Sequence, residues 1–322
     1  MKNKFILLLS LALLQHFKAT CQPIPSNDEK FTFLTTFSKG AEKKYGDDDN
    51  VQTIFFSIPE TNKGEVYIRV FDPDLGGEND EVVKEFNSKT KFSIYGGKGA
   101  HSSKDAIAVD PKGNFKSGSL IVSKTFDNDP KYDNGWYTFG PFNPSQGELQ
   151  PENGGYVFKL IIEGLDGDDG NLYKLFLSGA SDTNVPIEGG NSFCYEYTIR
   201  LPDKVGSVSH IYPFLPLNLS AVKIHVFDYD DEGMIRVVTI CKKGKVAGAL
   251  AEAAWGVEEV KIVPQELNTT MDIQFIKKKP VKNNNIVIYI TNQYNQTVAF
   301  YSAPIGGVPK YKYRIEANKI DN

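Results

Sequence analysis

One pattern of residues occurs twice in the chain and constrains the fold more than any other feature. Residues 66–74 read VYIRVFDPD and residues 222–230 read VKIHVFDYD, so both copies end in Val-Phe-Asp-x-Asp. Each copy alternates apolar and polar positions, which is typical of a β-strand with one buried face. The repetition of a strand together with the loop after it indicates a duplicated β unit.

Segments that flank the two copies extend this correspondence. The preceding segments FFSIPETNKG and YTIRLPDKVG occupy residues 55–64 and 197–206, and the following segments KFSIYGGKG and RVVTICKKGK occupy 91–99 and 236–245. Each unit then closes with a predicted hairpin, at 156–180 and 285–304. On this alignment the second copy carries an insertion of about a dozen residues, which includes HIYPFLPLN.

Short β-forming runs separated by Gly, Pro, Asn and Asp continue along the whole chain from Phe31. The predicted strands lie near 53–58, 66–71, 91–95, 119–123, 136–139, 156–163 and 171–177, and near 193–200, 222–227, 235–241, 258–263, 271–277, 286–291 and 297–302. Seven strands in each unit predict an all-β fold of two tandem immunoglobulin-like or jelly-roll β-sandwich domains. We expect these domains at residues 28–182 and 186–322, with additional edge strands at 31–37 and 311–317.

The first 21 residues are predicted to be a cleaved secretory signal peptide. Two lysines precede a ten-residue apolar core, Phe5–Leu14, and small residues follow it. This apolar run is too short to span a bilayer. We therefore expect an exported protein, located in the periplasm, on the cell surface or outside the cell. Lipidation of Cys21 is an alternative, which Lys18 disfavours because a bacterial lipobox has an apolar residue at that position.

The net charge bears on which partners the protein can bind, and the cysteines bear on whether it can form a disulfide. The chain has a net charge of −4, and loss of three lysines with the signal peptide brings it to −7. This acidity argues against binding to nucleic acid or to an anionic membrane surface. Export to an oxidising space permits a disulfide between Cys194 and Cys241, and two buried free thiols are the equal alternative.

The first acidic loop, VFDPDLGGENDE, is a candidate calcium loop at residues 70–81. Calcium requires several oxygen ligands that converge on one point. Asp72 and Asp74 have a spacing that can place both carboxylates on one side of a loop, and Asp80 follows after a Gly-Gly pair. The second copy keeps Asp228 but has no carboxylate at the position of Asp80, so we expect the first unit to bind calcium better.

The spacing V-x-D-x-D-x5-D resembles the third calcium loop of C2 domains, and it is formed here by Val70, Asp72, Asp74 and Asp80. In C2 domains another loop of the same sandwich adds aspartates, and the resemblance implies that Asp166 and Asp168 do so here. The order of the two loops is reversed relative to a C2 domain, so the resemblance is limited to the loops. If successive strands alternate in direction, both loops lie at one end of the sandwich. An ordinary hairpin turn is the alternative for residues 166–171.

An aromatic segment, KYDNGWYTFGPF, offers a different kind of binding site at residues 131–142. Exposed rings stack on sugars, so Tyr132 and Trp136 are candidates for a glycan platform, and burial in the core is the alternative for each ring. The Gly-rich segment GGKGA at 96–100 lacks the spacing of a phosphate-binding P-loop.

No catalytic motif is evident, since neither HExxH nor GxSxG occurs. We therefore expect a non-catalytic, exported bacterial protein with a binding or structural role, whose first domain is stabilised by Ca²⁺ and whose partner is a protein or a glycan. A carbohydrate-binding module is the alternative. A hydrolase that uses a pair of carboxylates is a weaker one.

Overall fold

The computed structural model describes residues 23–229, 233–247 and 253–305. The strands are β1 (Phe33–Phe37), β2 (Val51–Ile58), β3 (Val66–Phe71), β4 (Thr90–Gly96), β5 (Ser119–Phe126), β6 (Trp136–Phe142), β7 (Glu148–Gln150), β8 (Gly155–Gly164), β9 (Gly170–Ser178), β10 (Asn191–Cys194), β11 (Glu196–Arg200), β12 (Val208–Ile211), β13 (Phe214–Leu215), β14 (Ala221–Phe227), β15 (Gly233–Val238), β16 (Lys243–Ala247), β17 (Trp255–Lys261), β18 (Thr269–Thr270), β19 (Asp272–Lys277), β20 (Asn285–Asn292) and β21 (Phe300–Tyr301). Four single-turn 3₁₀ helices lie at Lys43–Tyr45, Pro144–Gln146, Pro151–Asn153 and Pro264–Glu266. The prediction of an all-β chain is confirmed. The predicted signal peptide, Cys21 and the predicted strand at 311–317 lie outside the described residues.

The two halves of the chain have the same strand order. In the first unit, residues 33–178, one sheet has the order β1-β9-β3-β6 and the other β2-β8-β4-β5. In the second unit, residues 196–292, the orders are β11-β20-β14-β17 and β12-β19-β15-β16. Counted within each unit and leaving out the short strands β7, β13 and β18, these are strands 1-8-3-6 and 2-7-4-5, the order of a jelly roll.

The two units join through their first strands. β1 pairs with β11 in an antiparallel manner, with Phe33 opposite Arg200 and Leu34 opposite Ile199. The result is one eight-stranded sheet. When the strands are numbered within each unit, its order is 6-3-8-1-1-8-3-6, the same from either edge. The prediction that residues 31–37 form an edge strand is therefore wrong, because β1 pairs with β9 on one side and with β11 on the other.

The internal alignment of the two units is correct in its centre and displaced at its ends. β3 corresponds to β14 and β4 to β15, as the two Val-Phe-Asp copies predicted. However, β11 corresponds to β1 and not to β2, and β12 takes the place that was interpreted as an insertion. Likewise, the last two strands of the second unit are β19 and β20, one strand earlier than the predicted pair at 285–304. The closing strands are not hairpins as predicted, because β8 and β9 lie in different sheets and so do β19 and β20.

A single apolar cluster runs through both units. It includes Leu34 and Ile68 from the first unit and Ile199 and Ile224 from the second, all of them fully buried. Removal of such side chains from water is the main stabilising contribution in a fold of this kind. Among the described residues, no helix has the length and apolar character needed to cross a membrane.

Candidate functional site

The acidic loop of the first unit begins at Asp72, directly after β3. The backbone of Asp72 has φ +57°, in the left-handed region that Asp and Asn tolerate better than most residues. Its N–H donates to the carbonyl oxygen of Gly135 at 2.8 Å, and its Oδ1 accepts from the N–H of Asn134 at 3.0 Å. Because β3 pairs with β6, these bonds join the loop after β3 to the loop before β6.

Three carboxylates meet between these two loops. Asp72 and Asp74 belong to the acidic loop and Asp133 to the loop before β6, and their oxygens lie within 4.8 Å of one another. Asp72 and Asp74 are 1% and 0% exposed. Gly77 permits the close approach of the loops, since it has φ +65° and a Cβ there would lie 3.2 Å from Cγ of Asp133. The sequence predicted Asp72 and Asp74 but missed Asp133.

Two oxygens of this cluster are buried without a donor. Oδ2 of Asp74 accepts a hydrogen bond from the backbone N–H of Asp129 at 3.0 Å. By contrast, Oδ1 of Asp74 and Oδ1 of Asp133 receive no hydrogen bond from any residue that the structure describes. A buried carboxylate oxygen without a partner is costly, and a bound cation would remove that cost.

The pKa values of Asp72 and Asp74 are both raised, mainly because burial disfavours the ionised carboxylates. Burial raises the pKa of Asp74 to about 6, the charges of Asp133 and Asp72 add to the rise, and the N–H of Asp129 opposes it. Burial also raises the pKa of Asp72, against the hydrogen bonds from Asn79 and Asn134. A cation between the carboxylates would favour their ionised forms.

Asp80, a predicted ligand, lies outside this cluster. Its Oδ1 accepts from the N–H of Leu172 at 2.7 Å and its Oδ2 from the N–H of Gly76 at 2.8 Å. Burial raises its pKa, in opposition to these two hydrogen bonds. Asp80 therefore holds the acidic loop against the start of β9.

The second predicted loop does contact the first one, although Asp166 and Asp168 do not join the three carboxylates. Contact is made by the fully buried Asn171, whose Nδ2 donates to the carbonyl oxygen of Pro73 at 2.9 Å. The fully buried Asp169 accepts hydrogen bonds from the N–H groups of Val83 at 2.8 Å and Asn87 at 2.9 Å, in the segment that follows the first loop. The two acidic loops thus lie at one end of the sandwich and are joined by protein hydrogen bonds.

The Gly-rich segment at 96–102 already binds a carboxylate of the protein itself. Glu148 accepts hydrogen bonds from the backbone N–H groups of Gly99, His101 and Ser102 at 2.6–2.9 Å and from the hydroxyl of Ser102. Burial alone would raise the pKa of Glu148, but these donors outweigh it and hold the pKa at about 2. The anion-binding geometry of this segment is therefore used for folding.

The two predicted glycan-platform residues differ in their surroundings. Trp136 is half-buried, with its ring 5.4 Å from that of Phe71 and 5.2 Å from the guanidinium carbon of Arg69. Tyr132 accepts a hydrogen bond from Nζ of Lys124 at 2.8 Å and packs on Phe126. Both rings are therefore held by neighbours within the first unit.

The second unit has a tryptophan at the equivalent position, and it is more open to solvent. Trp255 pairs with Phe227 as Trp136 pairs with Phe71. Trp255 is 38% exposed. It lies at the wall of a cleft of about 310 Å³. The rest of the lining consists of Lys43, Asp48, Asp49, Val109, Asp110, Glu196 and Tyr289, so both units contribute to it.

The two cysteines of the described chain are both free. Cys194 is buried at the end of β10, whereas Cys241 is exposed in the turn between β15 and β16. Burial raises the pKa of the Cys194 thiol. Of the two alternatives weighed from the sequence, the disulfide is not formed, and of the two expected buried thiols only that of Cys194 is buried.

Comparisons with known proteins give matches among solved structures. No protein-family model matches the chain, and no curated protein sequence matches it. Among solved structures, the chain is similar to the N-terminal CBM22-1–CBM22-2 tandem domain of Xyn10C from Paenibacillus barcinonensis. The two are 11% identical over 84% of this chain and 95% of that one, with a TM-score of 0.18. A TM-score of this size does not establish a shared fold.

Proposed function

We propose that the protein is a non-catalytic, exported binding protein whose first unit is stabilised by Ca²⁺ bound to Asp72, Asp74 and Asp133. One observation carries the proposal: the three carboxylates lie within 4.8 Å of one another, and two of their buried oxygens have no donor among the described residues. Export rests on the signal peptide that the sequence predicts at residues 1–21.

The chemistry of the cluster favours calcium over other cations. Calcium binds oxygens at about 2.3–2.6 Å, so two ligands of one ion lie at most about 5 Å apart. The oxygens of the three carboxylates lie within 4.8 Å of one another, which fits this spacing. Among the described residues, no histidine or cysteine joins the three carboxylates, which disfavours zinc. Mg²⁺ retains several waters that a mostly buried site must exclude.

Thermal unfolding tests the proposal directly. A cation that binds only the folded state raises its stability by about 2.7 kcal/mol at a hundred times Kd, which corresponds to a shift of about 5–10 °C in Tm. We expect this shift between saturating Ca²⁺ and chelator for the unaltered chain, and its loss in Asp74→Asn and Asp133→Asn.

Asp166→Asn is the matched control, because Asp166 is an exposed acid of the neighbouring loop and lies outside the cluster. This variant should keep the full calcium shift. An equal Tm in Ca²⁺ and chelator for the unaltered chain would refute the proposal. Loss of the shift in Asp166→Asn alone would show that the ion binds at the loop that contains Asp166 and not at the three carboxylates.

A carbohydrate-binding role is the second candidate, and the exposed ring of Trp255 favours it. The ring stands beside carboxylates that can accept hydrogen bonds from sugar hydroxyls, in a cleft formed by both units. Stacking on an aromatic ring and a few placed polar groups are what a small-ligand site requires. A glycan array with Trp255→Ala and Trp136→Ala tests this role: binding should be lost in the first variant and retained in the second.

A further inference from the structure

We infer that Arg200, a residue of the second unit, is a positioning residue for the cation site of the first unit. The inference rests on the proposed function, because it concerns the affinity for Ca²⁺ of Asp72, Asp74 and Asp133. Arg200 lies at the end of β11 and is not a member of the carboxylate cluster. Its effect would act through the far end of the acidic loop.

Glu81 is the residue of the acidic loop that reaches the second unit. Its carboxylate forms an ion pair with the guanidinium of Arg200, and the two side chains are 11% and 10% exposed. The backbone of Glu81 forms a two-way bridge with Gly170, with N–H to O distances of 3.0 and 2.9 Å. The loop end is therefore fixed to β9 by its main chain and to β11 by its side chain.

The second unit holds Arg200 in position for this contact. Nε of Arg200 donates to Oδ1 of Asn285 at 2.8 Å. Nδ2 of Asn285 lies within hydrogen-bond distance of the Glu81 carboxylate, at 3.3 Å, and donates to the carbonyl oxygen of Tyr45 at 2.8 Å. Glu81 thus enters a socket that β11 and β20 build for it.

The loop transmits this anchoring to the cluster over a short distance. Asp80, next to Glu81, binds the N–H of Gly76 and so closes the turn that follows Asp74. Asn79 donates to the carboxylate of Asp72 and, at 2.9 Å, to Oδ1 of Asn134. Loss of the Arg200 contact would leave the bridge to Gly170 and the hydrogen bonds of Asp80 to hold the segment that orients two of the three carboxylates.

The energetic consequence is a weaker site without any change in its ligands. Removal of Arg200 leaves Glu81 as a largely buried carboxylate without its cation, and an uncompensated buried charge destabilises the loop conformation that buries it. Calcium binding must then also supply the free energy that orders the loop. The apparent affinity for Ca²⁺ is therefore reduced in proportion to the fraction of molecules that have the loop in place. Coupling free energies between two sites are typically equivalent to about 5–150-fold in affinity.

Calcium affinity measured by isothermal titration on the folded full chain tests the inference. For Arg200→Met we expect a Kd about tenfold weaker than that of the unaltered chain. Arg200→Lys, which restores a cation without the planar fork, should recover part of the loss. Arg236→Met is the matched control, because Arg236 lies in the second unit and binds Gln274 at 2.6 Å, and its Kd should stay within about twofold.

The outcomes separate the inference from the proposed function. If the unaltered chain binds no Ca²⁺, the proposed function fails and the inference fails with it. If it binds and Arg200→Met has the same Kd, the inference is overturned and the calcium site stands. Should Arg200→Met not fold, Glu81→Gln serves in its place, since it removes the same ion pair from the loop side; an unchanged Kd in that variant also overturns the inference.

Discussion

The carboxylate of Asp72 accepts a hydrogen bond from the backbone N–H of Asn134 at 3.0 Å. The second unit repeats this bond between Asp228 and Ala253, at 2.7 Å. Both aspartates have φ +57°, and both donors also have positive φ, at 55° and 50°. Val-Phe-Asp is therefore a structural tie between the third and sixth principal strands of each unit, and in the first unit the carboxylates of Asp74 and Asp133 lie beside it.

This tie predicts a clear difference between two substitutions of Asp228. Asp228→Ala removes the acceptor for Ala253 and places a residue that disfavours positive φ at this position, so we expect a loss of about 1–3 kcal/mol in the free energy of unfolding. Asp228→Asn keeps an acceptor and the backbone preference, and should cost less than about 1 kcal/mol. Urea unfolding measures both. Equal losses in the two variants would show that the hydrogen bond is not the cause.

The effect of calcium should depend on pH through Asp74. Its pKa is raised from 3.8 to about 6 in the folded protein without a cation. Between these values the folded state holds a proton that the unfolded state releases, so the stability of the metal-free protein falls as pH rises from about 4 to about 6. Calcium binds the ionised carboxylate, and its apparent affinity should weaken by up to about tenfold per pH unit below 6.

Measurement of Tm with Ca²⁺ and with chelator at pH 5 and pH 7.5 checks this dependence. The calcium shift should be smaller at pH 5 and should level off above pH 6. In Asp74→Asn the pH dependence of the remaining shift, if any, should flatten. A full-sized shift at pH 5 in the unaltered chain would contradict the assignment of Asp74 as a ligand.

The carboxylate cluster shows which part of a site a sequence can predict. Asp72 and Asp74 could be predicted because their spacing within one loop is a local property. Asp133 could not, because it meets them only through the pairing of β3 with β6. The sequence did contain a signal for Asp133, because an acidic residue stands three positions before the tryptophan in both units. The pairs are Asp133 with Trp136 and Glu252 with Trp255.

Asp80 shows the opposite limitation. Its sequence position resembles that of a third ligand, but the folded loop uses both of its oxygens for the N–H groups of Gly76 and Leu172. Buried backbone donors must find acceptors, and a carboxylate can serve them as well as it serves a metal.

The strands could be predicted more fully than the site, because they follow from the alternation of apolar and polar residues and from turn residues. The seven principal strands predicted for the first unit all occur.

Glu148 should contribute strongly to stability, because the Gly-rich segment closes around it. In Glu148→Ala, three backbone N–H groups and one hydroxyl lose their acceptor, and we expect a loss of about 2–4 kcal/mol at pH 7. The folded pKa of about 2 lies below the usual 4.5, so this contribution is present above pH 4.5 and is lost as pH falls toward 2.

Urea unfolding at pH 7 and pH 3 therefore separates the variant from the unaltered chain in two ways. The difference in the free energy of unfolding should be large at pH 7 and smaller at pH 3. Glu152→Ala is the control, because Glu152 is an exposed acid close in sequence, and its effect should be within about 0.5 kcal/mol at both values. A difference that does not change with pH would exclude Glu148 as the titrating group.

The two thiols of the described chain should react very differently. Cys241 is exposed, whereas Cys194 is 0% exposed and burial raises the pKa of its thiol, so the reactive thiolate forms rarely there. In a Cys21→Ser chain, titration with a thiol reagent should give one equivalent in the native state and two in urea. Cys241→Ser should remove the fast equivalent and leave the slow one. Native protein that gives no equivalents, and two only after reduction, would instead indicate that the two cysteines form a disulfide and that β10 and the turn after β15 approach one another in solution.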